Sequence, residues 1–191
     1  MPALILVLSL LAAAPPGDRT LVHAFGKDVA FADLGPADAL QKLKGLPEEQ
    51  LQQAEVLLLV DRLKRDAYAE YLGEKKLEVT AAELERCTAG LKKKGTAGKP
   101  ADNAREMMVA WKANVALFHE LGGRLVPGAN GLEALDALRS LMNRYEAKKL
   151  IVWPNVNIRE AVLTRFGGAV IDVSSDERSV KDFEAGPRCL H

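Results

Sequence analysis

The sequence predicts a mainly α fold: a multi-helix domain with a small N-terminal β-hairpin and a mixed C-terminal extension. Three observations carry that expectation. Apolar residues recur at helical spacing through several long stretches, as in Val56, Val60, Leu63, Ala67 and Tyr71. Thr80 and Glu83 form a helix-start signature of high local specificity. Strand-like patterning is confined to short runs near residues 20–34 and beyond residue 150. With 191 residues, 48% of them apolar, the chain is long enough for one domain with a real core. The expected divisions are a signal segment over residues 1–14, a helical domain over 20–150 and an extension over 151–191.

Residues 3–14 are uncharged and almost wholly apolar, and Arg19 is the first basic side chain. So short a run cannot span a bilayer as a helix, which needs about 20 residues. It fits the hydrophobic region of a secretory signal, with Ala12, Ala13 and Ala14 as the small residues a signal peptidase needs. A buried N-terminal helix or strand is the alternative.

Residues 20–34 read as two short apolar segments around Gly26-Lys27-Asp28, a turn composition, and so as a hairpin. Too small to stand alone, it should pack on helices. Pro36 opens a short helix that Gly45 closes. Pro47, Glu48 and Glu49 suit the first turn of a long helix running to about Gly73, because carboxylates complement the positive end of its dipole. At Thr80 the hydroxyl and the Glu83 carboxylate each satisfy an orphan backbone amide, while Val79 and Leu84 can pack as a staple. This helix should reach about Lys94. After Pro100 a long amphipathic helix is expected from about Asp102 to Leu121, with Ala104, Met107, Met108, Trp111, Val115 and Phe118 on one face and Gly122-Gly123 as its stop. Residues 124–130 read as a short extended link. The next helix carries Leu132, Leu135, Leu138, Met142 and Tyr145. Beyond it, residues 150–154 are extended, 158–166 form a short helix ending at Gly167-Gly168, and 169–173 make a strand. The tail from Ser174 is polar and expected to be mobile as far as Phe183.

Much chemistry has no basis in these residues. Basic and acidic side chains balance at 26 each, which removes the electrostatic case for nucleic acid. His23, His119 and His191 lie far apart in sequence, and neither Cys87 nor Cys189 belongs to a Cys-x-x-Cys pair, so no metal, haem or other cofactor is expected. Neither a phosphate-cradling loop nor a nucleophile elbow is present, and no catalytic residue is assigned. Cys87 and Cys189 could pair in an oxidising compartment; equally, Cys87 lies on an apolar stripe with Leu84 and Leu91 and could be a buried thiol. Met107, Met108, Trp111 and Phe118 also admit two readings. They are core, or they line an adaptable apolar groove for polypeptide, because Met side chains mould to varied partners.

The succession of signal, hairpin with a turn glycine, long Leu- and Val-rich helix, and lysine-bearing turn into Leu-Glu-Val-Thr-Ala-Ala-Glu-Leu resembles the N-terminal chaperone domain of the SurA-type periplasmic folding factors. The resemblance covers about residues 21–94 and extends less closely to Leu121. In that family the hairpin carries Val-Asn-Gly, where this chain has Ala24-Phe25-Gly26. No counterpart of the family's parvulin-type isomerase domain follows. The resemblance implies a periplasmic or secreted protein whose partners are unfolded or extended polypeptides held in an apolar cleft. It implies no stable membrane insertion once the signal is cleaved. A structural or assembly factor of the envelope with one fixed partner, and a divergent peptidyl-prolyl isomerase, are the alternatives.

Overall fold

In the computed structural model, the structure describes residues 19–95, 98–128, 131–166 and 171–190. The expected signal segment, the double glycine at 167–168 and the first two residues of the expected strand at 169–173 lie outside them. The chain is mainly α, with seven α-helices among the described residues. It divides into two compact units, one of residues 19–63 with Tyr145–Arg165 and the other of Lys64–Arg144 with 166–190.

The first unit begins with the expected hairpin. Strand β1 (Thr20–Ala24) pairs antiparallel with β2 (Lys27–Ala30). The turn is tighter than its composition suggests. Only Phe25 and Gly26 lie between the strands, with φ of 52° and 76°, so Lys27 and Asp28 already belong to β2. Two consecutive positive φ angles match the right-handed twist of the flanking strands. The register shifts between Thr20 and Val22, and this irregularity lets the neighbours Leu21 and Val22 both be buried. On the other edge of β1 lies β5 (Ile151–Val152), giving the order β2-β1-β5. The extended residues after Leu150 thus complete the N-terminal sheet.

A 3-10 turn at Phe31–Asp33 leads to helix α1 (Ala37–Leu43), with Pro36 at its N-cap. Helix α2 (Glu48–Lys75) starts with Glu48 and Glu49 in its first turn, as expected, and buries Leu59 and Leu63 one turn apart. Helix α6 (Val156–Arg165) adds Ile158, Val162 and Leu163 to the core. A buried carboxylate, Glu55, is met by the Arg19 guanidinium at 2.6 Å.

The second unit holds α3 (Ala81–Lys93), α4 (Pro100–Leu121), most of α5 (Leu135–Ala147) and α7 (Glu177–Ala185). At Thr80 the capping box is formed: its N–H donates to Glu83 Oε2 at 2.7 Å and its Oγ1 accepts from the Glu83 N–H at 3.3 Å. Gly122 ends α4 at a φ of 64°.

Within the expected link, Leu125–Gly128 is a strand, β3, and it pairs antiparallel with β4 (Gly131–Ala134), which takes up the first residues of the expected next helix. Gly123 makes this entry possible. A Cβ there would meet the Asp136 Cβ at 2.7 Å, and its absence lets the Arg124 backbone N–H and side chain both reach the Asp136 carboxylate. The described part of the expected strand at 169–173 has no strand pairing, though the Val173 N–H donates to the Leu125 carbonyl. Past Ser174 the polar tail folds as α7, with Asp176 at its N-cap accepting from the Ser179 N–H at 3.1 Å.

Candidate functional site

Helix α4 is buried along two sides, which explains why one apolar stripe accounts for only part of it. Ala113, Asn114 and Leu117 face inward on one side. Asn114 is a polar residue in an apolar position, and every described bond it makes fixes something. Its Oδ1 accepts from Tyr68 Oη at 3.2 Å and from the Ala134 N–H at 2.9 Å, and its Nδ2 donates to the Ala110 carbonyl at 2.8 Å. The amide therefore ties α2, α4 and β4 together. Burial holds the Tyr68 phenol far above its ordinary range, with Glu133 adding to the effect, so it stays a neutral donor. Sequence reasoning passed over Asn114; its signal was an amide placed one turn from Leu117 and Ala110 in an otherwise apolar helix.

The second side carries the candidate polypeptide-binding residues. Ala104 and Met108 are fully buried, in one cluster with Cys87, Leu91 and Cys189, and Val79, Leu84, Met107, Trp111 and Leu190 pack against it. Met108 is thus core, with no exposed surface to offer a partner. Met107, Trp111 and Phe118 are half-buried. What covers them is the chain's own tail. The Trp111 indole Nε1–H donates to the Phe183 carbonyl at 2.7 Å. The rings of Phe118 and Phe183 meet edge to face at 5.9 Å, a geometry worth about 0.5–1.5 kcal/mol beyond area burial. Phe183 is the buried residue of α7, while Glu177, Arg178, Lys181, Asp182 and Glu184 point to solvent.

After α7 the chain passes through the buried Gly186 and Pro187 into a 3-10 turn at Arg188–Leu190. There Cys189 is disulfide-bonded to Cys87 of α3, with Cα atoms 4.9 Å apart. Of the two readings open for the cysteines, the structure has the pair. The bond spans 102 residues of sequence, and in the chain-entropy account a loop of that size is worth on the order of 4–5 kcal/mol. Gly90, one turn from Cys87, is the seat of this crossing: a Cβ there would lie 1.9 Å from the Cys189 carbonyl oxygen. Residues 176–190 therefore form a strap across α3 and α4, covalently fastened at one end and anchored by Phe183 near its middle.

The start of α3 is tied to α4 by Lys112, whose Nζ donates to the Glu78 carbonyl at 2.6 Å and to Glu83 Oε2 at 2.8 Å. Burial raises the Glu83 carboxyl, but hydrogen bonds from Lys112 and Thr80 more than offset this and leave it below the usual range. At the far end of α4, Glu120 accepts from Tyr71 at 2.7 Å, Lys75 at 2.8 Å and Arg144 at 3.1 Å. Lys75 first, then Tyr71, hold its carboxyl down to about 2.

These features describe a face of α4 covered by the chain's own C-terminal segment. Among the described residues no group of three or more His, Cys, Asp or Glu is gathered as a metal site would require, and no helix is long and apolar enough to cross a membrane. Compared with known proteins, the chain matches no family model, and no curated protein or solved structure is significantly similar to it.

Proposed function

We propose that this protein is an exported, non-catalytic polypeptide-binding factor of the chaperone type, with Met107, Trp111 and Phe118 on α4 as its contact face. One observation carries the proposal: the face already seats a polypeptide segment through a contact any polypeptide can make. Trp111 donates to a main-chain carbonyl, and the neighbouring aromatic and thioether groups take up an apolar side chain. A binder of varied clients needs such a combination, because main-chain groups are common to all sequences and Met and aromatic side chains adapt to different shapes. Export is supported by the apolar segment at 3–14 and by the disulfide, a bond that persists in oxidising compartments. The likeness of residues 21–94 to SurA-type chaperone domains points the same way.

The test is suppression of aggregation. Purified protein, assayed with its disulfide intact and again after reduction, should slow the aggregation of an unfolded outer-membrane protein in at least one of the two states, and Met107→Ala should weaken the effect while leaving the helical circular-dichroism signal intact. No suppression in either state at several-fold molar excess rules the proposal out. A second reading, an envelope assembly factor with one fixed partner, is favoured by the covalent fastening of the strap, which occupies the face in the oxidised chain. Recovery of a single stoichiometric partner, in place of many clients, would establish it.

A further inference from the structure

We propose that the Cys87–Cys189 disulfide is a redox latch on an internal strap: residues 176–190 stay seated on α3 and α4 while the bond is intact, and leave when it is reduced. The inference starts from how little else holds the strap. Helix α7 has nine residues, too few to be helical alone in water, and Phe183 is its buried side chain. Its outward residues Glu177, Arg178, Lys181, Asp182 and Glu184 are exposed, and the His119–Glu184 contact at 3.1 Å lies in solvent, where such pairs contribute little. The Cys189 carbonyl lies over Gly90, close enough that a Cβ there would be 1.9 Å from its oxygen, directly beside the bond. The covalent link and this close seat thus act at the same place. Once the link is cut, the strap must be held by Phe183, Pro187 and Leu190 and by the Trp111 hydrogen bond, against the entropy of the released segment.

The chemistry is dithiol exchange with an external dithiol reductant. One thiolate of the reductant attacks a sulfur of the pair, giving a mixed disulfide and freeing the other cysteine; its second thiol displaces the protein sulfur. Two electrons and two protons pass to the protein, which ends with two thiols while the reductant ends as a disulfide. Cys87 and Cys189 are both buried, so exchange waits on fraying of the 188–190 turn and its rate reports that opening. Release uncovers Met107, Trp111 and Phe118 beside Leu84 and Leu91. That this opens a client-binding face rests on the proposed function; the release itself does not.

Hydrogen exchange on the full-length protein separates the two. In the oxidised protein the amides of 180–185 should be protected. In dithiothreitol, and in the Cys87→Ala/Cys189→Ala variant, their protection should fall by about tenfold or more, while α2 and the Asn114 region keep theirs. Unchanged protection of 180–185 in reduced protein overturns the latch. So does loss of protection throughout α2 and α4 in reduced wild-type protein, which would make the bond a staple of the whole unit; that measurement stands even where the double variant fails to fold. If the strap releases but reduced protein suppresses aggregation no better than oxidised, the latch stands and the client-face reading fails.

Discussion

At the scale of single residues, two positions hold conformations that their side chains explain. Phe25 adopts a φ of 52°, a region that costs an L-residue about 1–2 kcal/mol. Glycine and asparagine tolerate that region far better than a bulky side chain. Phenylalanine is kept there by its edge-on contact with the Tyr145 ring at 5.3 Å and by its N–H, which donates to the Leu150 carbonyl at 2.8 Å. Gly90 shows the opposite economy. Within a helix, glycine is less favourable than alanine by about 1 kcal/mol, so Gly90→Ala should stabilise an ordinary exposed site. Here the new methyl would occupy the place of the Cys189 carbonyl oxygen, and backbone cannot move aside as a flexible side chain can. Gly90→Ala is therefore expected to destabilise the protein by about 1–3 kcal/mol, the range for overpacking, and to leave titratable thiols where the wild type has none. Urea denaturation with a thiol count checks both. A neutral or stabilising effect with the disulfide retained would show that the Cys189 carbonyl does not lie against Gly90.

At the scale of elements, helix ends decide how well the chain can be read. α2 and α5 both finish in Schellman motifs: Leu77 N–H donates to Leu72 O and Lys76 N–H to Gly73 O, and Leu150 and Lys149 repeat the pattern on Tyr145 and Glu146. The residue in the left-handed conformation is lysine each time, Lys76 at 53° and Lys149 at 59°. Glycine is the usual occupant because it has no Cβ penalty. Lys149→Gly should accordingly raise stability by up to about 1 kcal/mol in urea titration, whereas Thr80→Ala should lower it by about 1 kcal/mol through loss of the cap. A destabilised Lys149→Gly protein would mean that the lysine side chain does more than terminate the helix. Lys76 in the place of a glycine is why the sequence predicts an end to α2 at Gly73, two residues early: the glycine lies inside the helix. Legibility followed the locality of the signal. The Thr80 cap, the Pro36 and Pro100 starts and the Gly122 stop act through neighbouring residues, and all were readable. β3, β4 and β5 exist through pairing with distant or turn-coupled partners, and their runs are too short to announce it. α7 is amphipathic but short, with Val180 and Phe183 as its large apolar side chains among charged neighbours, so its composition reads as a polar tail. The Met107, Trp111 and Phe118 stripe was legible as apolar, but its cover was not, because Phe183 and Cys189 reach it from far along the sequence.

At the scale of the whole molecule, paired charges set how stability depends on pH. Glu120 and Asp136 both belong to the second unit, and both are held at about 2, against ordinary values of 4.5 and 3.8. For Glu120 the chief cause is the Lys75 hydrogen bond, followed by that of Tyr71; for Asp136 it is the Arg124 guanidinium, followed by the Arg124 backbone N–H. A carboxylate with a lower folded than unfolded value binds fewer protons when folded, so stability rises with pH wherever the two states differ. The contribution is complete above about pH 4.5, shrinks as pH falls below that, and is gone once pH has dropped past the folded value near 2. Between about pH 5 and pH 2 the urea midpoint should therefore fall steadily. Glu120→Gln should flatten that slope, because glutamine cannot titrate, while lowering stability at pH 7, where Lys75 and Arg144 lose a charged partner. Asp136→Asn should behave likewise, with the added loss of the bidentate Arg124 contact that holds the entry to β3. Urea midpoints measured from pH 2 to pH 7 on the wild type and the two variants decide the matter. A wild-type profile flat below pH 5 would show that these ion pairs are not formed in solution. Slopes in both variants equal to the wild type's would place the acid sensitivity in other carboxylates.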